Sequence, residues 1–235
     1  MPDHIAKAYD QDIAALKSQL AEMGGIAEEQ LANAIQALSK RDLSLADLVI
    51  RNDQRLDDLE RNIEEKAILT IAKRQPMALD LREIMVAIRI SSDIERIGDL
   101  AKNTAKRAHA ISEVLPRKLS TGLARMGAMA QTQLSQVLDA YAQRDDEKGL
   151  AVWRSDEDLD SLYNSIFREL LTYMMEDPRN ISLCTHLLFG AKNLERIGDH
   201  STNIAENIHY LIHGKTITEG RPKKDVTSMM RASDA

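Results

Sequence analysis

Glu95-Arg-Ile-Gly-Asp99 and Glu195-Arg-Ile-Gly-Asp199 are the same five residues, used twice in one chain. In a helix the i, i+4 spacing sets both carboxylates of each copy on one face, where they repel by about a few tenths of a kcal/mol when exposed. A cation between them reverses the sign of that interaction. Asp53 and Asp57, and again Asp156 and Asp160, repeat the spacing as Asp-x-x-x-Asp pairs. Carboxylate oxygens alone suit hard or borderline ions, namely Mg, Ca, Mn or Fe, and not a structural zinc, which takes Cys or His. The competing reading of any single pair is a solvated acidic face laced by Arg55, Arg96, Arg154 and Arg196. Four pairs in register across a repeat favour metal, which makes Asp53, Asp57, Glu95, Asp99, Asp156, Asp160, Glu195 and Asp199 the candidate ligands.

Such pairs need rigid elements to bring them level. Ile97, Gly98, Asp99, Asn103 and Ala105 recur as Ile197, Gly198, Asp199, Asn203 and Ala205. Upstream, Asp53, Leu56, Asp57, Leu59 and Ile63 match Asp156, Leu159, Asp160, Leu162 and Ile166. The chain is an internal duplication joined near Pro116. A first helix is expected over 4–39 from Ile5, Tyr9, Ile13, Leu16, Leu20, Met23, Ala27, Leu31, Ile35 and Leu38, spaced by three and four. Gly24-Gly25 interrupt it without shifting its phase, at about 2 kcal/mol relative to alanine. Asp42 and Asp145 read as N-caps of helices running to about Arg74 and Met175. Two more helices follow Pro76 and Pro178, ending near Ser112 and His213, and another fills 117–143.

Short connections make sequential helices antiparallel. The expected fold is all-α: two tandem three-helix bundles related by pseudo-twofold symmetry, residues 1–115 and 116–213, followed by a disordered tail over 214–235. About 20 residues separate Asp57 from the Pro76 turn and about 20 separate that turn from Glu95, so the acid pairs of neighbouring helices come level. Glu95 and Asp99 are expected nearly opposite the core stripe of Val86, Ile90, Ile94, Ile97 and Ala101. They fall in line with Leu81, Ile84 and Ile88, as Glu195 and Asp199 do with Cys184, Leu188 and Ala191. Gly98 and Gly198 signal a close approach to the backbone, by a ligand or by a packed helix.

Only 3% of the residues are aromatic, and the five prolines fall outside every periodic stretch, as an all-helical protein requires. A net charge of −6 argues against nonspecific nucleic-acid binding. The single cysteine, Cys184, excludes an internal disulfide and a cysteine-based zinc site. No stretch approaches the roughly 18 to 20 apolar residues of a membrane span, and the start lacks a signal-peptide core, so a cytoplasmic protein is expected. A di-iron carboxylate enzyme needs two Glu-x-x-His pairs, whereas this chain has Glu206 to His209 alone, with Lys106 and His109 in the first half. No Ser, Cys or Lys sits in an activating context, so no enzymatic activity is expected. His200, beside Asp199, is a weaker candidate ligand.

Asp93 to Asn103 and Asn193 to Glu206, with Arg74-Gln-Pro-Met-Ala-Leu-Asp-Leu-Arg82 and Asp177-Pro-Arg-Asn180 ahead of them, resemble the PhoU family over about residues 5 to 213. The resemblance implies metal clusters on the repeated Glu/Asp-x-x-x-Asp motifs, falling here on the eight acids named above, with Mg, Mn or Fe as the ion. It implies a cytoplasmic negative regulator of the phosphate-starvation response, which restrains phosphate uptake. Its implied partners are the ATPase subunit of the phosphate transporter and the phosphate-sensing histidine kinase. A homodimer is the implied assembly, with membranes reached only through partners.

Overall fold

A computed structural model describes residues 2–111 and 117–220, with side chains from Ala8 in the first segment and Leu119 in the second. The junction near Pro116 and residues 221–235 of the tail lie outside the described residues. The described elements are α1 (Pro2–Lys40), α2 (Leu43–Asn52), α3 (Gln54–Arg74), α4 (Leu79–Ala110), α5 (Arg117–Gln143), α6 (Asp146–Glu176) and α7 (Ile181–His213), with a 3₁₀ turn at Pro178–Asn180 ahead of α7. The all-α expectation is met. None of the helices searched is long and apolar enough to cross a membrane.

The two N-caps form as their sequence dictates. Asp42 Oδ1 accepts from Leu45 N–H at 3.0 Å and Asp145 Oδ1 from Lys148 N–H at 3.1 Å. Ahead of each cap, Arg41 and Arg144 take the left-handed conformation, with φ of 55° and 52°. The next residue's N–H then reaches back five positions, Asp42 to Ala37 at 3.1 Å and Asp145 to Ala140 at 2.9 Å, which ends α1 and α5 in a single-residue turn. Glycine is the usual occupant of such a site. Arginine holds it here with its side chain engaged: Arg41 Nε donates to Ile111 O at 3.1 Å, and Arg144 bonds Glu83.

The helix expected over 42–74 is divided at Asp53, which corrects the single-helix expectation. Backbone dihedrals at Asp53 stay helical (φ −58°, ψ −37°), but Leu56 N–H bonds Asp53 O at 2.9 Å while Asp57 N–H is stretched to 3.4 Å from it. This is a local 3₁₀ tightening without glycine or proline. Its counterpart α6 runs through Asp156 unbroken.

Packing follows the expected antiparallel order. Leu56 lies on Gly98, pairing α3 with α4; Gly122 on Ile166 pairs α5 with α6; and Leu159 on Gly198 pairs α6 with α7. The halves dock through α1 against α5, where Gly24 faces Leu138 and Gly127 faces Ile35, and through α4 against α7. Gly24 is thereby explained as a close helix contact, and α1 continues through the glycine pair. Polar ties across the α4–α7 seam are His200 Nδ1 to Asp93 Oδ1 at 2.9 Å and Asn203 Nδ2 to the same oxygen at 3.2 Å. One apolar core runs through both halves, from Ile13 to Leu211. Gly214 (φ 71°) closes α7 by donating to Tyr210 O at 2.9 Å, and Ile217 packs on the core, so the first residues after α7 lie against the body.

Candidate metal centre

Helix α4 carries Glu95 and Asp99 and α3 begins beside Asp53, so the antiparallel pairing brings the first-half acids level. Asp53 is 5% exposed, and Asp57 and Asp99 are half-buried. Glu95 is not turned away from the protein as expected: its side chain is 14% exposed, and Ile84, on the same strip, is fully buried. The reason is that α3 of the same half covers this face of α4 and brings Asp57 and Glu60 to it.

A cation already bridges this face. Lys102, three residues after Asp99, donates from Nζ to Asp99 Oδ1 at 2.6 Å and also to Asp53. The two carboxylates raise the lysine's pKa against the opposing effect of burial. Asp53 itself is pushed up, by burial first and by Asp99 and Asp57, with the Lys102 bond opposing. Glu95 is pushed up to about 7, chiefly by burial and by Asp99, with Arg96 opposing and Glu60 and Asp57 adding to the rise. Arg96 reaches Glu95 at 3.5 Å and Asp99 at 3.8 Å, so one of the expected arginine lacings does form.

The second-half face is deeper. Asp156, Asp160 and Glu195 are 1%, 1% and 2% exposed, and Asp199 is half-buried. Position 202, matching Lys102, is a threonine whose hydroxyl bonds Asp199 O at 2.8 Å. The ammonium here is Lys192, 37% exposed, which meets Glu195 Oε2 at 2.9 Å and lies 5.0 Å over the Tyr163 ring. A Cβ at Gly198 would fall 2.5 Å from Leu159 Cδ2 and 2.9 Å from Asp156 Oδ1, so the glycine lets helix and carboxylate approach the backbone together. Packing of α6 on α7 therefore explains this glycine, with Asp156 and Gln133 from the acidic face beside it; at Gly98 the neighbours are Leu56 and Gln30 Oε1.

Gln30 on α1 and Gln133 on α5 complete the two faces, and sequence reasoning missed both. Gln30 is 2% exposed with neither amide atom hydrogen-bonded, and Gln133, 4% exposed, has its Oε1 likewise unsatisfied while Nε2 bonds Ser155 at 3.2 Å. A buried amide left so costs about 1–3 kcal/mol. Their amide oxygens and the carboxylates make an oxygen donor set that fits a hard divalent or trivalent cation. Lys102 and Glu60 were also missed. Lys102 was readable from its i+3 spacing to Asp99, and Gln30 and Gln133 from sharing the repeat offset of Asp53 and Asp156.

Among the described residues, the three His, Cys, Asp or Glu side chains whose ligand atoms lie mutually within 4.8 Å are Asp146, His209 and His213. The eight acids are spread more widely, and a shared ion has to draw them in. Two other sequence candidates have separate roles: His200 pairs with Asp93, and Glu206 accepts from Trp153 Nε1 at 3.0 Å. A cleft of about 640 Å³ lies elsewhere, among α1, α4 and α5, lined by Lys17, Glu83, Tyr141 and Arg144.

A repeated helical bundle with an acid-lined face on each half defines a class of duplicated all-α proteins, and the sequence places this one in a family. The PhoU domain model matches twice, over residues 20–108 and 123–208. The chain belongs to the PhoU family. It is 56% identical over 228 residues to the phosphate-specific transport system accessory protein PhoU homolog of Rhizobium meliloti (strain 1021), covering 97% of this chain and 96% of that one. The crystal structure of PhoU from Pseudomonas aeruginosa is similar, with a TM-score of 0.85 and 38% identity, covering 88% of this chain and all of that one. That of the phosphate transport system regulatory protein PhoU from Streptococcus pneumoniae has a TM-score of 0.83 at 26% identity, covering 90% and 100%.

Proposed function

We propose that this protein is a metal-binding accessory regulator of phosphate uptake, which represses the phosphate-starvation response by linking the phosphate transporter's ATPase subunit to the sensor histidine kinase. The family and the names of its relatives support the accessory role in phosphate transport. The observation that carries the rest is the doubled acidic face, with its buried Asp156, Asp160 and Glu195 beside an unsatisfied glutamine oxygen. Such a face holds charge for a cation or a cationic partner and offers no nucleophile. Mg, Mn or Fe are the ions its oxygen donors suit. The protein works in the cytoplasm as a homodimer and meets the membrane through the transporter and kinase.

Deleting the gene should leave starvation genes expressed and phosphate uptake unrestrained in phosphate-rich medium. Gln and Asn replacements at Glu95, Asp99, Glu195 and Asp199 should reproduce part of that defect, and crosslinking in cells should recover the ATPase and the kinase. Unchanged uptake and expression after deletion, with neither partner recovered, would contradict the assignment.

A further inference from the structure

We propose that Asp146, His209 and His213 form a separate site for a borderline divalent cation of the zinc kind, clipping the start of α6 to the end of α7. His209 and His213 stand at i and i+4 on α7, with ring centroids 4.5 Å apart, so both imidazoles face the same side. Asp146 lies between them: Oδ1 and Oδ2 are 3.0 and 3.3 Å from His209 Nδ1, and Oδ2 is 2.8 Å from His213 Nε2. Ligand atoms bound to one metal at about 2.1 Å are separated by roughly 3.0–3.4 Å along the edges of an octahedron or tetrahedron. The acid–imidazole spacings of 2.8–3.3 Å overlap that range and all three ligand atoms lie within 4.8 Å of one another, so an ion enters with side-chain adjustments.

The three groups are not committed to other structural work. Asp145, not Asp146, caps α6. Glu206, the sequence partner of His209, is engaged by Trp153. His209 and Asp146 are about one-fifth exposed and His213 nearly half, which leaves room for waters to complete the coordination. Two imidazoles and one carboxylate select zinc, cobalt, nickel or iron(II) over magnesium or calcium. In the first half His109 meets Asp47 at 3.0 Å, and among the described residues the three-ligand cluster occurs in the second half. It sits roughly 15 to 27 Å along α7 from Glu195 and Asp199 and does not depend on the acidic faces or on the proposed regulatory role.

The test uses full-length protein without a histidine tag, stripped of metal and titrated with zinc against a chromophoric chelator. The wild type is expected to bind one zinc equivalent that the Glu95→Gln/Asp99→Asn/Glu195→Gln/Asp199→Asn variant retains. His213→Gln, at an exposed helix end, should weaken it at least about tenfold, and His209→Gln/His213→Gln should remove it. Cobalt(II) in place of zinc should give visible d–d absorption that the double variant lacks, with circular dichroism confirming that the variant is folded. An unchanged zinc isotherm in the folded double variant, or no zinc binding by the wild type, would overturn the proposal.

Discussion

The two acidic faces descend from one duplicated pattern and handle their charge differently. In the first half Lys102 places an ammonium between Asp53 and Asp99, Glu60 adds a further carboxylate, and the backbone tightens at Asp53. In the second half the lysine position is Thr202, the Glu60 position is Tyr163, α6 runs straight through Asp156, and three carboxylates are almost wholly buried. Burying ionised groups is expensive unless hydrogen bonds or a cation compensate. Both faces hold a lysine, but Lys102 is 20% exposed at Asp53 and Asp99, whereas Lys192 is 37% exposed at Glu195, so an external cation displaces the second more readily.

Removing the Lys102 ammonium should have the largest effect. Lys102→Met leaves Asp53 and Asp99 facing each other partly desolvated, and should lower the metal-free stability by about 3 kcal/mol in urea unfolding at neutral pH. Manganese should restore part of that loss, making the first face behave more like the second. An unchanged unfolding midpoint would mean that the lysine does not hold the face together.

Methyl groups at the close-approach glycines come next. Gly98→Ala and Gly198→Ala should each destabilise by about 1–3 kcal/mol despite alanine's better helix propensity, because Leu56 and Leu159 occupy the space. Only Gly198→Ala also displaces a carboxylate, that of Asp156, so it alone should reduce the metal-dependent rise in melting temperature. Equal metal responses in the two variants would erase the distinction between the faces.

The third test is pH. Glu95 has a folded pKa of about 7, above the ordinary 4.5, so the folded state binds more protons between these values than the unfolded chain does. Its contribution to the stability of the metal-free protein is fully present below about 4.5 and is lost as pH rises through 7. The slope is at most about 1.4 kcal/mol per pH unit. Glu95→Gln should flatten that part of the stability profile, and a wild-type profile rising across the window would contradict the assignment. The smallest change is a gain: Gly25 faces open space on unbroken α1, so Gly25→Ala should stabilise by about 1 kcal/mol, whereas Gly24→Ala meets Leu138 at 3.0 Å and should not.

Much of this was legible in the sequence because it is periodic. The helix limits followed from apolar spacing, proline punctuation and the Asp42 and Asp145 caps, and the repeat placed the acid pairs on pseudo-equivalent helices. Three things were not legible. The break at Asp53 has no glycine or proline to announce it, and Asp156 stands in the same local pattern without breaking. The depth of Glu95 is not legible from α4 alone, because α3 of the same half covers that face and brings Asp57 and Glu60 to it, while Asp93 is the residue that meets α7. The Asp146, His209 and His213 cluster joins residues far apart in sequence, and the local Glu206 to His209 spacing points away from it.

The most direct test of the central claim is calorimetric titration of metal-free protein with manganese, comparing wild type with Glu95→Gln/Asp99→Asn and with Glu195→Gln/Asp199→Asn. Wild type should show binding at both faces, with the tighter event lost in the second variant and the weaker one lost in the first. No heat in the wild type, or a wild-type isotherm that survives when all four acids are replaced, would contradict the account.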